Sequence, residues 1–303
     1  MLRFVLPFLL LLPVAGRAQD TPDTLNTEAL DAWEAAYTHY LDSLDGSLTF
    51  LTDTTVTLGA DLATLRIPEG YAYLGPDDAQ TVLVDMWGNM PDPEETSLGM
   101  LFPVKYGPSA RQGYGIHIDY TADGYIDDSD AADMDYDDLL EELQEGTEAG
   151  NAYREEEGYQ PMHLLGWATP PHYDAVNQRL HWAKELEFEG SDVSTLNYNV
   201  LFLGRRGYVT YNAIGTMENL PEVNDDLDDF LGSLAYNAGN RYADFDPDID
   251  EVAGYGIAAL MGAKVLAKTG LLAGIGVFLL KSWKLVMVAV VAAGAGLKRL
   301  LGK

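Results

Sequence analysis

Three side chains are candidates for acid–base chemistry. His117 and Asp119 fall on one face of a predicted strand over 114–120, and a carboxylate beside a histidine can orient it as a general base. The alternative without a catalytic role is a polar strand face that contacts water, because no nucleophile accompanies the pair in sequence. Lys184 falls on the apolar face of another predicted strand, where a lowered pKa would make it a base or an anion site. More often such a lysine extends to solvent at a sheet edge or pairs with an acid.

Four aspartates alternate just before the apolar C-terminal region, and their carboxylates are the ligand type that a hard cation such as Ca²⁺ prefers. They are Asp244, Asp246, Asp248 and Asp250. The calcium-loop pattern fails at its glycine position, which is Ile249, and at its glutamate position, which is Tyr255. Cation binding is therefore one interpretation, and a solvated acidic linker is the other.

Other signals of chemistry are sparse. Arg205 and Arg206 lie in a predicted hairpin tip. In one interpretation they bind an anionic group or a protein partner, and in the other they are solvated. The chain has no cysteine, which excludes disulfides, thiolate metal sites and cysteine nucleophiles. The sequence motifs of serine hydrolases, zinc proteases and nucleotide-binding loops are absent. No cofactor is predicted.

These residues are positioned by helices and strands, which the periodicity of apolar residues predicts. The predicted fold is α+β, a largely antiparallel sheet with helices packed on it. Helices are predicted at 27–45, 77–86, 130–155 and 220–234. Strands are predicted at 55–58, 63–67, 98–104, 114–120 and 163–168, followed by a three-stranded meander over 180–214. Pro170-Pro171 is expected to end the strand before it, and Asp123-Gly124 is expected to form a hairpin turn.

The charge balance limits the class of partner. The 303 residues include 48 Asp and Glu against 18 Lys and Arg, a formal net charge of −30. This excludes a general nucleic-acid binder, which needs basic surface to replace counterions. All the acidic residues lie in 19–251, so we expect self-repulsion there and a stability that rises with salt.

The first 18 residues have the features of a secretory signal peptide. Arg3 supplies the positive charge, 4–14 are apolar, and Gly16 and Ala18 are small residues at the cleavage site. An uncleaved N-terminal anchor is the alternative. Residues 19–50 are then an N-terminal segment carrying the amphipathic helix, and 51–250 are the exported α+β domain.

Residues 251–303 contain no acidic residue after Glu251 and are predicted to anchor the chain in the membrane. A single helix over 261–280 spans the bilayer if Lys264 and Lys268 extend to the outer interface. A helical hairpin and an apolar tail docked on the domain are the alternatives. The basic residues beyond the span favour a cytoplasmic end. They are Lys281, Lys284, Lys298, Arg299 and Lys303.

Several short motifs together resemble a family of bacterial membrane-anchored proteins classed only as a domain of unknown function. The resemblance covers about residues 50–303. The motifs are Ile67-Pro68-Glu69-Gly70-Tyr71, Trp87-Gly88-Asn89, Gly99-Met100-Leu101-Phe102-Pro103, Asp135-Tyr136-Asp137-Asp138-Leu139, Gly166-Trp167, His172-Tyr173-Asp174, Trp182-Ala183-Lys184-Glu185-Leu186, Leu196-Asn197-Tyr198-Asn199, Arg241-Tyr242-Ala243-Asp244-Phe245 and Tyr255-Gly256. The resemblance implies a signal peptide, an exported domain and a C-terminal anchor, and it implies no activity or catalytic residue.

We therefore expect a protein of the bacterial cytoplasmic membrane with most of its chain on the outer face. Its expected partners are membrane lipid and an envelope protein, and not nucleic acid. The favoured role is a non-catalytic scaffold, sensor or accessory subunit, because no complete catalytic constellation is visible. The alternatives are a membrane-tethered hydrolase that uses carboxylates with Lys184 or His117, and a binder of a cation or another ligand.

Overall fold

The fold was analysed in a computed structural model that describes residues 27–92, 96–110, 112–131, 136–257 and 260–261. The chain divides into two compact units, residues 1–43 and 44–303. Helix α1 (Thr27–Asp45) supplies the described part of the first unit and has the bounds that the sequence predicts. The predicted signal peptide and the five basic residues at the C-terminal end lie outside the described residues.

The second unit is built on two antiparallel sheets. In chain order the strands are β1 (Phe50–Leu51), β2 (Thr55–Leu58), β3 (Ala63–Arg66), β4 (Tyr71–Leu74), β5 (Thr96–Pro103), β6 (Gly115–Thr121), β7 (Met162–Asp174), β8 (Arg179–Phe188), β9 (Thr195–Gly204), β10 (Gly207–Thr216) and β11 (Leu234–Tyr236). The large sheet has the order β1-β4-β5-β6-β10-β9-β8-β7, and the small sheet has the order β11-β3-β2.

The helices of this unit are short except for one. They are α2 (Pro76–Gln80), continued by a π-helical turn (Thr81–Met86), α3 (Tyr136–Glu156), α4 (Leu220–Asp225) and α5 (Leu227–Ser233). Single 3₁₀ turns lie at Met217–Asn219 and Tyr242–Asp244. The predicted α+β architecture with a largely antiparallel sheet is confirmed for the described residues.

Both faces of the large sheet are used. Its first face packs on the small sheet and on α4 and α5, and Tyr211 and Phe202 lie in that core. Its second face packs on α3 and on the segment 257–261, and Leu180 and Leu201 lie in that core. On the same face α2 lies over β5, where the ring of Trp87 meets the ring of Phe102 edge-on. Strands in the middle of the sheet are therefore buried on both sides.

The hairpin between β9 and β10 turns in two residues, as predicted, and Gly207 is the residue that permits it. Gly207 has a φ of +141°, and a Cβ at this position would lie 1.9 Å from the carbonyl oxygen of Thr121 on β6. Only glycine allows the backbones of β10 and β6 to approach this closely at the turn. The tip residues Arg205 and Arg206 are thereby fixed next to the segment that follows β11.

Two expectations about proline and glycine are wrong. Pro170-Pro171 does not end the strand, because β7 continues to Asp174. The strand tolerates both prolines because it is the outer strand of the sheet and its register shifts between Thr169 and His172. Asp123-Gly124 joins no hairpin, since β6 pairs with β5 and β10; Gly124 instead sits against the carbonyl oxygen of Glu251.

The last predicted helix is interrupted. Residues 220–234 form α4 and α5 with a break at Asp226, and Leu234 already belongs to β11. Pro221 lies in the first turn of α4, as predicted. The break has a chemical reason, because the carboxylate of Asp226 points into the first-face core and accepts two hydroxyl groups there.

The described beginning of the apolar C-terminal region belongs to the folded domain. Val252 pairs with Tyr125 through an isolated parallel bridge, and Ile257, Leu260 and Met261 are buried in the core of the second face. The folded domain thus extends beyond residue 250, to Met261. In the described part of the chain, no helix is both long enough and apolar enough to span a bilayer.

Candidate functional site

The second face of the large sheet carries a row of polar side chains in direct cross-strand register. His117 on β6 lies opposite Asn212 on β10, which lies opposite Asn199 on β9, which lies opposite Trp182 on β8. We call these four residues the polar row. Residues that are direct partners in an antiparallel sheet point to the same face, so the row crosses four adjacent strands in a straight line.

Further polar residues flank the row on both sides. Lys184 and Asn197 are cross-strand partners one position along, and Asp119 and Thr210 are partners one position along in the other direction. All the candidate acid–base residues from the sequence therefore share this face. They do not form one site, because Lys184 on β8 and His117 on β6 are separated by three strand spacings, about 14 Å between backbones.

His117 and Asp119 are buried, contrary to the expectation of a face that meets water. β6 lies in the middle of the sheet, with β5 and β10 as its neighbours, and both its faces are covered. His117 Nε2 lies 3.0 Å from Ser97 Oγ on β5, and Asp119 is the register partner of Ser97 and Thr210. The pair is a buried polar cluster with a serine and a threonine around it.

Two atoms of the polar row are buried without a hydrogen-bond partner among the described residues. They are the indole Nε1 of Trp182, a donor, and the side-chain oxygen Oδ1 of Asn212, an acceptor. Trp182 as a whole is only 4% exposed. Leaving a buried polar atom unsatisfied costs about 1–3 kcal/mol, so the pair is an energetic liability in the fold.

Three of the four alternating aspartates have side chains that serve the fold, each in a different way. Asp244 accepts the backbone N–H groups of Gly239 and Arg241, which lowers its pKa. Asp246 accepts the N–H of Asp248. Asp250, whose side chain has no solvent-exposed surface, receives Arg205 and Arg206. The described residues contain no cluster of three or more histidine or acidic side chains arranged to hold a metal ion.

The anion that Arg205 and Arg206 bind in this structure is a carboxylate of the same chain. Arg205 Nε lies 2.6 Å from Asp250 Oδ2, and Arg206 Nη2 lies 2.8 Å from Asp250 Oδ1. The hydrogen bond from Arg205 is the main reason that the pKa of Asp250 is lowered. This pairing ties the β9–β10 hairpin tip to the segment that leads into the C-terminal region.

A hydroxyl network on the first face was not foreseen from the sequence. The Tyr71 and Tyr114 hydroxyls contact each other, and both donate to Asp226 Oδ2, at 2.5 Å and 3.0 Å. Burial, strengthened by the carboxylate, raises the pKa of Tyr71 above its ordinary value, and burial also raises the pKa of Tyr114. The three residues are far apart in sequence, so no spacing signal could have indicated the network.

The neighbouring Glu222 completes this region. Lys105 Nζ lies 2.8 Å from Glu222 Oε1, and the Tyr106 hydroxyl donates to Glu222 Oε2 at 3.3 Å. These contacts fasten α4 to the turn that follows β5. A cleft of about 160 Å³ nearby is lined mainly by apolar groups, including Trp87, Phe102 and Pro108. It is smaller than the cavities that usually hold a cofactor.

A histidine pair lies at the outer end of the first face. His172 on β7 is the register partner of His181 on β8, with ring centroids 5.2 Å apart, and His181 Nδ1 lies 3.1 Å from the Tyr198 hydroxyl. Burial lowers the pKa of His181, and the nearby His172 lowers it further. Neither histidine contacts a nucleophile or a carboxylate at hydrogen-bond distance in the contacts that the structure describes.

Of the comparisons with known proteins, one shows the family of this chain. No curated protein matches the chain. The solution structure of cyanobacterial PsbP (CyanoP) from Synechocystis sp. PCC 6803 is similar to 63% of this chain and 93% of its own, with 11% identity and a TM-score of 0.32. A likeness at this level carries no conclusion about this chain. Residues 51–293 match the family described as "Protein of unknown function (DUF2167)", and the chain belongs to that family.

Proposed function

We propose that the protein is a non-catalytic module of the bacterial cell envelope, exported by its signal peptide and held at the cytoplasmic membrane by its C-terminal region. It acts there as a scaffold, sensor or accessory subunit for an envelope partner. The observation that carries the proposal is the separation of the candidate catalytic residues. Lys184 and His117 share a face of the sheet but are three strands apart.

The fate of the other candidates supports the same proposal. Asp250 pairs with Arg205 and Arg206, Asp244 accepts backbone N–H groups, and His117 contacts Ser97 inside a buried cluster. Within the described residues these groups hold the structure together rather than converge on a cleft. A hydrolase needs a nucleophile within hydrogen-bond reach of a base at a place that a substrate can enter. Ser97 Oγ lies 3.0 Å from His117 Nε2, but His117 is buried inside the sheet.

The location in the membrane is supported by how the chain leaves the domain. Met261 is buried in the second-face core, and the segment 262–303 that follows contains seven basic and no acidic residues. In the proposed topology the span begins where the domain core ends. The domain is then held close to the lipid surface without a long linker, and the basic end lies in the cytoplasm.

The absence of cysteine from the chain makes a direct topology test possible. Single cysteines are introduced by Val176→Cys, at an 85% exposed position between β7 and β8, and by Lys303→Cys. In cells with a permeabilised outer membrane, a membrane-impermeant maleimide is expected to label the first variant. The second variant is expected to be labelled only after lysis, and the cysteine-free parent is the matched control.

Each alternative gives a different labelling pattern. Labelling of both variants before lysis, in cells with a permeabilised outer membrane, would replace the single span by a hairpin. Labelling of Val176→Cys only after lysis would contradict export. The non-catalytic role is tested separately by Lys184→Met, which keeps the length of the side chain and removes its charge; loss of a cellular phenotype in an exported, folded variant would favour the enzyme.

A further inference from the structure

Two imidazole side chains face each other across the outer two strands of the large sheet. His172 on β7 and His181 on β8 are direct register partners, so both side chains lie on the same face, and their ring centroids are 5.2 Å apart. His172 is exposed and His181 is half-buried. An ion can therefore reach the pair from solvent without any opening of the fold.

The fold uses the residues that follow His172 on β7, but it does not use the His172 side chain. The Tyr173 hydroxyl donates to Asp128 Oδ2 at 2.6 Å, and Asp174 Oδ1 accepts backbone N–H groups of the turn between β7 and β8. Within the described residues His172 makes no hydrogen bond, and its ring contact is with His181. The nitrogens of its ring are thus available to a ligand from outside the chain.

His181 has the environment that a metal-ligating histidine needs. Its Nδ1 lies 3.1 Å from the hydroxyl of Tyr198, a buried residue of β9. A ligating histidine usually donates its other ring N–H to such a fixed partner, which sets the tautomer and holds the ring in place. With Nδ1 as the donor, Nε2 carries the lone pair that a metal ion requires. Burial and the nearby His172 lower the pKa of His181, which keeps its ring neutral and able to ligate near neutral pH.

The spacing of the two rings fits a shared ion. An imidazole nitrogen binds zinc at about 2.0–2.1 Å and lies about 1.2 Å from the centroid of its own ring, so two imidazoles on one tetrahedral ion have centroids about 5 Å apart. The observed separation of the His172 and His181 centroids is 5.2 Å. The rings now meet edge to face at 64°. The exposed His172 ring therefore joins His181 on one ion by rotation about its side-chain bonds.

We propose that His172 and His181 bind a divalent transition-metal ion of the zinc type, and that Tyr198 holds His181 in the ligating tautomer. Imidazole suits Zn²⁺, Ni²⁺ and Cu²⁺, whereas Ca²⁺ and Mg²⁺ prefer oxygen ligands. Because the described residues contain no group of three or more histidine or acidic side chains that could hold an ion, the two imidazoles are the protein ligands and water fills the other positions. The net charge of −30 raises the local concentration of cations.

The test is isothermal titration calorimetry of the full-length protein with ZnCl₂ near neutral pH. The protein carries no polyhistidine tag, is kept in detergent, and is studied in excess MgCl₂, which occupies carboxylates but not imidazoles. We expect saturable binding of one Zn²⁺ ion. His172→Ala should weaken this binding at least about tenfold, since losing a ligand costs no less than losing the partner that orients it.

His163→Ala is the matched control. His163 lies on the same strand, and its Nδ1 is 2.6 Å from Glu148 Oε1, so this histidine stands beside carboxylates and not beside a second imidazole. Its replacement should leave the affinity for Zn²⁺ unchanged. Without zinc, His172→Ala should melt at the temperature of the wild type, because His172 is exposed and the fold does not depend on its side chain.

A third variant tests the role of Tyr198 separately from its packing. Tyr198→Phe keeps the buried ring and removes the hydroxyl, and it should weaken zinc binding by about tenfold. Zinc should raise the melting temperature of the wild type, raise that of Tyr198→Phe less at the same concentration, and leave that of His172→Ala unchanged. Tyr198→Phe with the zinc affinity of the wild type would remove Tyr198 from the proposed site.

Three results would overturn the site itself. They are the absence of saturable zinc binding, zinc binding that His172→Ala leaves unchanged, and zinc binding that is lost in His163→Ala but kept in His172→Ala. The last two would show an adventitious ion only, held by the acidic surface. The site does not depend on the proposed membrane location, so the cysteine labelling pattern and the zinc titration can fail independently.

Discussion

The two faces of the large sheet treat their buried polar groups in opposite ways. On the first face, the hydroxyls of Tyr71 and Tyr114 are both satisfied by one carboxylate, that of Asp226. On the second face, the indole N–H of Trp182 and the amide oxygen of Asn212 are buried without partners among the described residues. Both sets lie in well-packed surroundings, so packing alone does not explain the difference.

The difference has consequences for the stability of the fold. A satisfied network fixes one arrangement of strands and helices. Here it joins Asp226, between α4 and α5, to Tyr71 on β4 and to Tyr114 just before β6. An unsatisfied pair costs free energy and persists only if the surrounding structure supports it. The first face therefore carries the satisfied polar network, and the second face carries the two polar atoms without a described partner.

The largest expected effect is the loss of the first-face acceptor. Asp226→Ala leaves the hydroxyls of Tyr71 and Tyr114 buried with only each other as partners, and should destabilise the fold by about 3 kcal/mol. Denaturant unfolding measures the change. Asp228→Ala, which alters an exposed residue two positions away, is the control and should change stability by less than about 0.5 kcal/mol. Equal changes in the free energy of unfolding for the two variants would show that the network does not stabilise the fold.

A second prediction concerns the pH dependence of stability at the ion pair between Asp250 and Arg205, which lies outside both faces of the sheet. The folded-state pKa of Asp250 is lowered, chiefly by the hydrogen bond from Arg205. Its stabilising contribution is therefore fully present above the ordinary carboxyl pKa, near 4, and is lost as the pH falls through the lowered folded value. The stability difference between the wild type and Asp250→Asn should be constant at neutral pH and should shrink below about pH 4.

A difference that stays constant down to the most acidic conditions at which the protein remains folded would mean that the charge of Asp250 contributes nothing. The measurement is thermal unfolding of both proteins as a function of pH. Asp248→Asn is a suitable control, because that side chain is exposed and makes no ion pair that the structure describes.

A third prediction compares two asparagines, one with a hydrogen-bonded side chain and one whose Oδ1 has no described partner. Asn219 is buried, accepts the N–H of Thr216 and donates to the carbonyl oxygen of Gln112. Asn219→Ala should cost about 1–2 kcal/mol. Asn212→Ala removes an acceptor that has no described partner and should cost less than half as much. If Asn212→Ala is the more destabilising change, Oδ1 of Asn212 is satisfied and the contrast between the faces disappears.

The sequence predicts the fold better than the environment of its polar residues. Periodicity located α1, the strands β2, β3, β5 and β6, and the meander of β8, β9 and β10, because alternation is a local signal, but it missed the short strand β4. It failed at Pro170-Pro171, where the position of β7 at the sheet edge overrides the local rule. The prediction that the strand face carrying His117 contacts water was wrong for a similar reason. The burial of β6 on both faces depends on elements distant in the chain.

The candidate site shows the same limit. Lys184, His117 and Asp119 were identified from the sequence as candidate residues, and the structure places them on one face. Their order across the sheet, and the separation of Lys184 from His117, follow from strand order and not from spacing in the chain. The Tyr71–Tyr114–Asp226 network joins residues with no local relationship, and only the tertiary structure reveals it.

The smallest effect concerns salt. Acidic residues are dense in α3, which covers the second face, and in α4 and α5, which cover the first. Raising NaCl from 0.1 M to 1 M shortens the Debye length from about 10 Å to about 3 Å and should raise the melting temperature of the full chain modestly. KCl should act equally. A melting temperature that stays constant or falls in both salts would mean that the negative charge affects solubility only.

The most direct test of the contrast between the faces is the hydrogen-bond state of the indole groups in the free protein. The indole N–H resonances of Trp87, Trp167 and Trp182 can be compared by ¹⁵N NMR through their temperature coefficients and their exchange with solvent. The structure predicts that Trp87 and Trp167 behave as hydrogen-bonded donors, to Pro108 and Tyr136, and that Trp182 does not. A Trp182 resonance with the same hydrogen-bonded signature as the other two would contradict the account.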